Sequence, residues 1–172
     1  MKFDVLIVGA GLAGAALAAA LRGSTLKVGI VETRPPARPE GWDARIYAIS
    51  PTNVDFLSAI GIWQHLDPAR MAPVYDMEIH GDAGGRLDFS AYDSGLRELA
   101  WILESSLMQL ELWETVKRQH NVTLICPASP AALAIDDSAA RLTLTDGRRV
   151  EAKLVVAADG RDSWVRQAAG IG

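Results

Sequence analysis

An apolar run, Val5-Leu6-Ile7-Val8, gives way to Gly9-Ala10-Gly11-Leu12-Ala13-Gly14, then to an alanine-rich stretch, a second apolar run and Glu32. This order reads as strand, glycine turn, helix, strand and acid, the opening of a Rossmann-like α/β fold. Gly9 permits the tight turn out of the strand. Gly11 lets a pyrophosphate approach the backbone without meeting a Cβ, and Gly14 lets the helix pack close to the strand. The helix start offers free N–H groups and about half a positive charge from its dipole, so two phosphates can be held without a basic side chain. Glu32 follows Val28-Gly29-Ile30-Val31 at the distance where a carboxylate accepts hydrogen bonds from an adenosine ribose. Its charge repels a 2′-phosphate, which favours FAD or NAD over NADP.

Two plainer readings compete. A glycine-rich turn can exist without a ligand, and the uncharged run from Val5 to Leu21 can be read as a membrane anchor. That run is slightly short for a span, carries three glycines and lacks flanking basic clusters, so a buried strand and helix fit it better. The 172 residues suit one domain with a real core. A net charge of −4 gives no electrostatic case for nucleic-acid binding. The single cysteine, Cys126, leaves no intrachain disulfide and no paired redox thiols. With no leader ahead of the first strand, a cytoplasmic location is expected. His65, His80 and His120 lack metal-ligand spacing with one another or with Cys126, so no metal site is expected.

Beyond Glu32, the proline-rich stretch from Thr33 to Gly41 reads as a surface loop. The segment Asp43-Ala44-Arg45-Ile46-Tyr47-Ala48-Ile49-Ser50 precedes a helix expected from about Val54 to Ile60, capped by Ser50 or Thr52. Val74 to His80 and Arg86 to Phe89 form an expected hairpin across Gly81-Asp82-Ala83-Gly84-Gly85. Apolar spacing predicts one long helix from Glu98 or Leu103 to His120, with Trp101 and Trp113 on it. Val122 to Ile125 reads as a short buried strand. Between Ala128 and Val150, three short strands and two turns, one at Asp146-Gly147, predict an antiparallel meander. A separate buried strand, Lys153 to Ala158, then ends at Asp159-Gly160 and a helix start capped by Asp162 or Ser163.

These features together resemble the class A FAD-dependent aromatic hydroxylases. The Asp43 to Ser50 segment looks like the Asp-x-Arg-x-x-Ala-hydrophobic-Ser signature of the ubiquinone-biosynthesis hydroxylases, the UbiH/UbiF/VisC type, and Trp101-Ile102-Leu103-Glu104 is similar to that group's long-helix start. The resemblance implies a three-layer FAD/NAD(P)-binding domain, with a parallel sheet and an antiparallel β-meander, spanning residues 1–172. It implies cofactor binding by Gly9, Ala10, Gly11, Gly14 and Glu32, by Arg45 over the FAD phosphates, and by Asp159 and Gly160 beside FAD and the path of NAD(P)H. One departure is Ser105, which stands where the group usually has asparagine.

In such enzymes NAD(P)H reduces FAD, a C4a-hydroperoxyflavin forms, and its distal oxygen passes to an electron-rich aromatic ring. The flavin carries that chemistry, so no catalytic acid or base is expected from this chain. The family's Gly-Asp motif and substrate half are expected to lie outside these residues, leaving the chain inactive alone and with an exposed face open to self-association. Peripheral attachment to the inner membrane, or membership of a biosynthetic complex, fits the same resemblance. Two alternatives stay open: an FAD- or ADP-binding fragment without turnover, and the nucleotide domain of an NAD-dependent dehydrogenase.

Overall fold

The computed structural model describes residues 1–172. In chain order the elements are β1 (Lys2–Val8), α1 (Leu12–Ala20), β2 (Val28–Val31), β3 (Ile46–Ile49), α2 (Pro51–Ala59), β4 (Met71–Val74), β5 (Asp76–His80) and β6 (Arg86–Ser90). They continue with β7 (Ala100–Glu104), α3 (Ser105–Lys117), β8 (Val122–Ile125), β9 (Pro130–Ile135), β10 (Ala140–Leu144), β11 (Arg149–Ala157) and α4 (Trp164–Ala168). Contacts divide the chain into two compact units. The first joins Met1–Ala37 to Gln109–Gly172, and the second is Arg38–Met108.

The first unit is built on a six-stranded sheet in the order β8-β2-β1-β11-β10-β9. Strands β8, β2, β1 and β11 run parallel, while β10 and β9 continue antiparallel. Leu6 and Val8 of β1 enter a core with Val31, Ile125, Leu142 and Val165. Ile7 points to the opposite face, where its Cγ2 stands 3.1 Å from the Cβ that Gly14 of α1 would carry. Both faces of β1 are therefore covered, which is why Val5 to Val8 is a continuous apolar run rather than an alternating one.

The meander forms as expected, but its third strand and the apolar strand after it are one element. No turn residue separates Val150 from Lys153, so β11 runs on as a single nine-residue strand. Its start pairs antiparallel with β10 and most of its length pairs parallel with β1. Nor is its second half fully buried, since Leu154 is 54% exposed.

In the second unit β3, β7 and β4 form an antiparallel sheet with β7 in the centre, and β5 and β6 form a separate hairpin closed over Gly81 to Gly85. The expected strand from Val74 to His80 is thus split. Val74 ends β4 against Ala100, and Asp76 begins β5 against Ser90. Helix α2 starts at Pro51, whose fixed φ suits a first helical position. Ser50 stands at the N-cap, but its side chain makes no capping bond.

The largest correction concerns the predicted long helix. Ala100–Glu104 is a strand, and the helix starts only at Ser105. Trp101 therefore belongs to β7, where it meets Trp63 edge-on at 5.8 Å. Trp101, Ile102 and Leu103 form an unbroken apolar run that fits either element, and β-sheet pairing on both sides decides it. No helix is long and apolar enough to cross a membrane.

Candidate functional site

Order in the first unit's sheet puts a crevice at one place. The chain leaves β1 to build β2 on one side, while β11 lies on the other, so strand order reverses at β1. In open parallel sheets ligands bind outside the carboxyl ends of the strands at such a point. A cleft of about 430 Å³ lies there, lined among others by Gly9, Gly11, Glu32, Ala128, Asp159 and Gly160.

Each glycine of the turn has a different physical role. Gly9 has φ +100°, and a Cβ on it would lie 2.4 Å from the Ala158 carbonyl oxygen. A Cβ on Gly14 would lie 2.0 Å from the Gly9 carbonyl oxygen, so α1 touches the turn there. Gly11 is the opposite case: a Cβ on it would meet nothing within 4 Å. Its lack of a side chain is not required by the protein's own packing, and it lines the cleft, so the backbone there is open to a ligand. Gly11 is also the N-cap of α1, no side chain caps that end, and no acid stands in the first turn. The helix start keeps donors for an anion.

Glu32 lies at the carboxyl end of β2, where its N–H donates to the Ile125 carbonyl. One carboxylate oxygen, Oε1, accepts from the Thr33 N–H and hydroxyl and from the Arg34 N–H. The other, Oε2, accepts only from the Ala10 N–H at 2.7 Å. The acid is thus tied to the glycine turn, and Ala10 turns its N–H to Glu32. Oε2 keeps a lone pair for one further donor. Cys126 sits close by, and burial together with the negative charge of Glu32 pushes its thiol upward, so it stays protonated at neutral pH.

Asp159 and Gly160 follow β11. Asp159 accepts from the Ser163 hydroxyl and, at 3.0 Å, from the Val165 N–H, while Ser163 accepts from the Arg166 N–H at 3.0 Å. Ser163, not Asp162, is therefore the cap of α4, and Asp159 braces it. The structure brings Gly9, Gly11, Glu32, Asp159 and Gly160 to one cleft, with Ala10 and Gly14 fixing its turn.

Arg45 belongs to the second unit. Its side chain is exposed, and its backbone carries its hydrogen bonds: the N–H donates to Asp43 Oδ1 at 2.9 Å and the carbonyl accepts from the Ser105 N–H. Asp43 Oδ2 also accepts from the Ser106 N–H at the start of α3. These bonds, the Arg45 N–H first, hold the Asp43 carboxyl below the usual carboxylate range.

Sequence reasoning missed one constellation. Glu104, only 2% exposed, pairs with Arg70 and accepts from the Asp43 N–H. A signal lay in the charge at the end of an apolar run, but its partner stands 34 residues away.

Comparison with known proteins finds the family described as FAD binding domain over residues 2–172. The chain belongs to that family. The 3-demethoxyubiquinol 3-hydroxylase of Escherichia coli is 35% identical over 172 residues, covering 98% of this chain and 44% of that protein. Ubiquinone hydroxylase UbiL of Rhodospirillum rubrum is 34% identical over 171 residues, covering 98% of this chain and 40% of that protein. Among solved structures, Pseudomonas aeruginosa PqsL in complex with 2-aminobenzoylacetate aligns with a TM-score of 0.78 at 26% identity, over 98% of this chain and 46% of PqsL. The FAD-binding domain thus spans less than half the length of these relatives.

Proposed function

We propose that this chain is the FAD-binding part of an NAD(P)H-dependent monooxygenase that hydroxylates an aromatic ring of the ubiquinone-precursor class. The observation that carries the reading is Gly11: open space where a Cβ would stand, at an uncapped helix start, beside an acid with a free lone pair. Gly9, Gly11 and Gly14 shape the turn so that the N–H groups of α1 face the pyrophosphate. Glu32 Oε2 takes a ribose hydroxyl. Asp159 and Gly160 border the same dinucleotide on the β11 side. The bound flavin supplies the redox chemistry of oxygen insertion. Relatives named 3-demethoxyubiquinol 3-hydroxylase and ubiquinone hydroxylase UbiL, each aligned over 98% of this chain, support the substrate class. Apolar precursors of this kind dissolve in membranes, so the reading includes peripheral attachment to one.

Oxygen-18 decides the reaction class. The protein carrying this domain, given FAD, NAD(P)H, labelled dioxygen and a short-tailed demethoxyubiquinol, is expected to place one labelled oxygen atom on the ring. NAD(P)H oxidation with label only in hydrogen peroxide, or a ring oxygen derived from water, would contradict a monooxygenase.

A further inference from the structure

Glu32 leaves the cleft one acceptor where a ribose brings two donors. Its Oε1 accepts from the Thr33 N–H at 2.7 Å, the Thr33 hydroxyl at 2.9 Å and the Arg34 N–H at 3.3 Å, which fills both lone pairs of that oxygen. Its Oε2 accepts from the Ala10 N–H at 2.7 Å and keeps one place. The vicinal hydroxyls of an adenosine ribose are two donors, so the second needs an acceptor other than Glu32. Thr33 lines the same cleft and is exposed in it. Its hydroxyl proton is committed to a charged oxygen, which makes the stronger kind of hydrogen bond. A hydroxyl has one proton to give and two lone pairs. Thr33 Oγ1 is therefore left as a pure acceptor beside the carboxylate.

We propose that Thr33 is a second ribose-binding residue, whose Oγ1 accepts from the hydroxyl that Glu32 does not take. The inference rests on the FAD reading above and adds a residue outside the glycine turn and its acid. The two hydroxyls of the ribose are then read by different side chains, each through a single oxygen. A side chain without an oxygen at position 33 would leave one hydroxyl to water alone.

Calorimetric titration of the full 172-residue chain with ADP, 2′-deoxy-ADP and 3′-deoxy-ADP tests it, since ADP carries the ribose and pyrophosphate of the adenosine half of FAD. Thr33→Val keeps the shape of the side chain and leaves two N–H donors on Oε1, so Glu32 stays seated. The substitution is expected to weaken ADP binding about fivefold. It should weaken one deoxynucleotide by the same factor. The other, which lacks the hydroxyl given to Thr33, should bind within about twofold of its affinity for the unaltered chain. Thr33→Ser retains the oxygen and is expected to match the unaltered chain with all three nucleotides. Equal weakening of all three by T33V would mean that Thr33 only supports the loop, and would overturn the inference. No weakening of any would overturn it too, and either result leaves the FAD reading intact. An unaltered chain that binds neither ADP nor FAD would overturn that reading, and the inference with it.

Discussion

Replacing Gly14 with alanine is expected to destabilise the protein by about 3 kcal/mol or more, lowering its melting temperature by about 10 °C. The sign is informative, because glycine to alanine inside a helix ordinarily stabilises by about 1 kcal/mol. Here the added Cβ would stand 2.0 Å from the Gly9 carbonyl oxygen, with the Ala158 Cβ and Ile7 Cγ2 each 3.1 Å away. Two of these are backbone or backbone-proximal atoms of a tight turn, so α1 must move off the sheet to make room. A thermal melt in which Gly14→Ala equals or exceeds the parent would show that α1 does not sit this close.

Losing Arg70 should be comparably costly. Arg70→Met leaves the Glu104 carboxylate, 2% exposed, without its cation, a change that typically costs about 3–5 kcal/mol. The 24% exposure of the Arg70 side chain places the expectation at the lower end, about 3 kcal/mol, because water screens part of the pair. Removing both charges together, with Arg70→Met and Glu104→Leu, is expected to recover most of that loss. Denaturant unfolding of the single and paired variants checks it. A paired variant as unstable as the single one would mean that shape, not charge, decides the loss.

These two predictions mark where the sequence was legible and where it was not. The turn from β1 into α1 and the acid after β2 can be read directly, because strand, glycine turn, helix, strand and acid follow one another within 32 residues, although the atom that excludes a Cβ on Gly9 belongs to distant Ala158. The meander was equally local, since Asp146-Gly147 announces its own turn. Sheet edges and element joins were harder. Ala100 to Glu104 looks helical because Leu103 stands at helical spacing from Leu107 and Leu110 of α3, and only pairing with β3 and β4, remote in sequence, makes it a strand. The third meander strand and the rest of β11 merged because nothing between them breaks a strand, while a change of partner from β10 to β1 leaves no mark in the sequence. Of the residues named from the sequence, Gly9, Gly11, Glu32, Asp159 and Gly160 line one cleft, while other lining residues such as Thr33, Gln109 and Pro130 carry no motif that marks them. The ion pair between Arg70 and Glu104 was not legible, since its partners stand 34 residues apart and leave no periodic signal.

The measurement that bears most directly on the central claim compares FAD binding by the unaltered chain and by Gly11→Val. Gly11 has φ −65° and ψ −174°, a conformation open to any residue, and space around its missing Cβ. Substitution there should therefore alter only the N-cap, by about 1 kcal/mol or less, with a melting temperature within about 4 °C of the parent. If a pyrophosphate lies against this backbone, the new side chain stands in its place. The account predicts that the unaltered chain keeps its flavin absorbance through desalting and that the folded G11V variant loses it. Retention of flavin by G11V as firmly as by the parent would place the dinucleotide elsewhere and contradict the account.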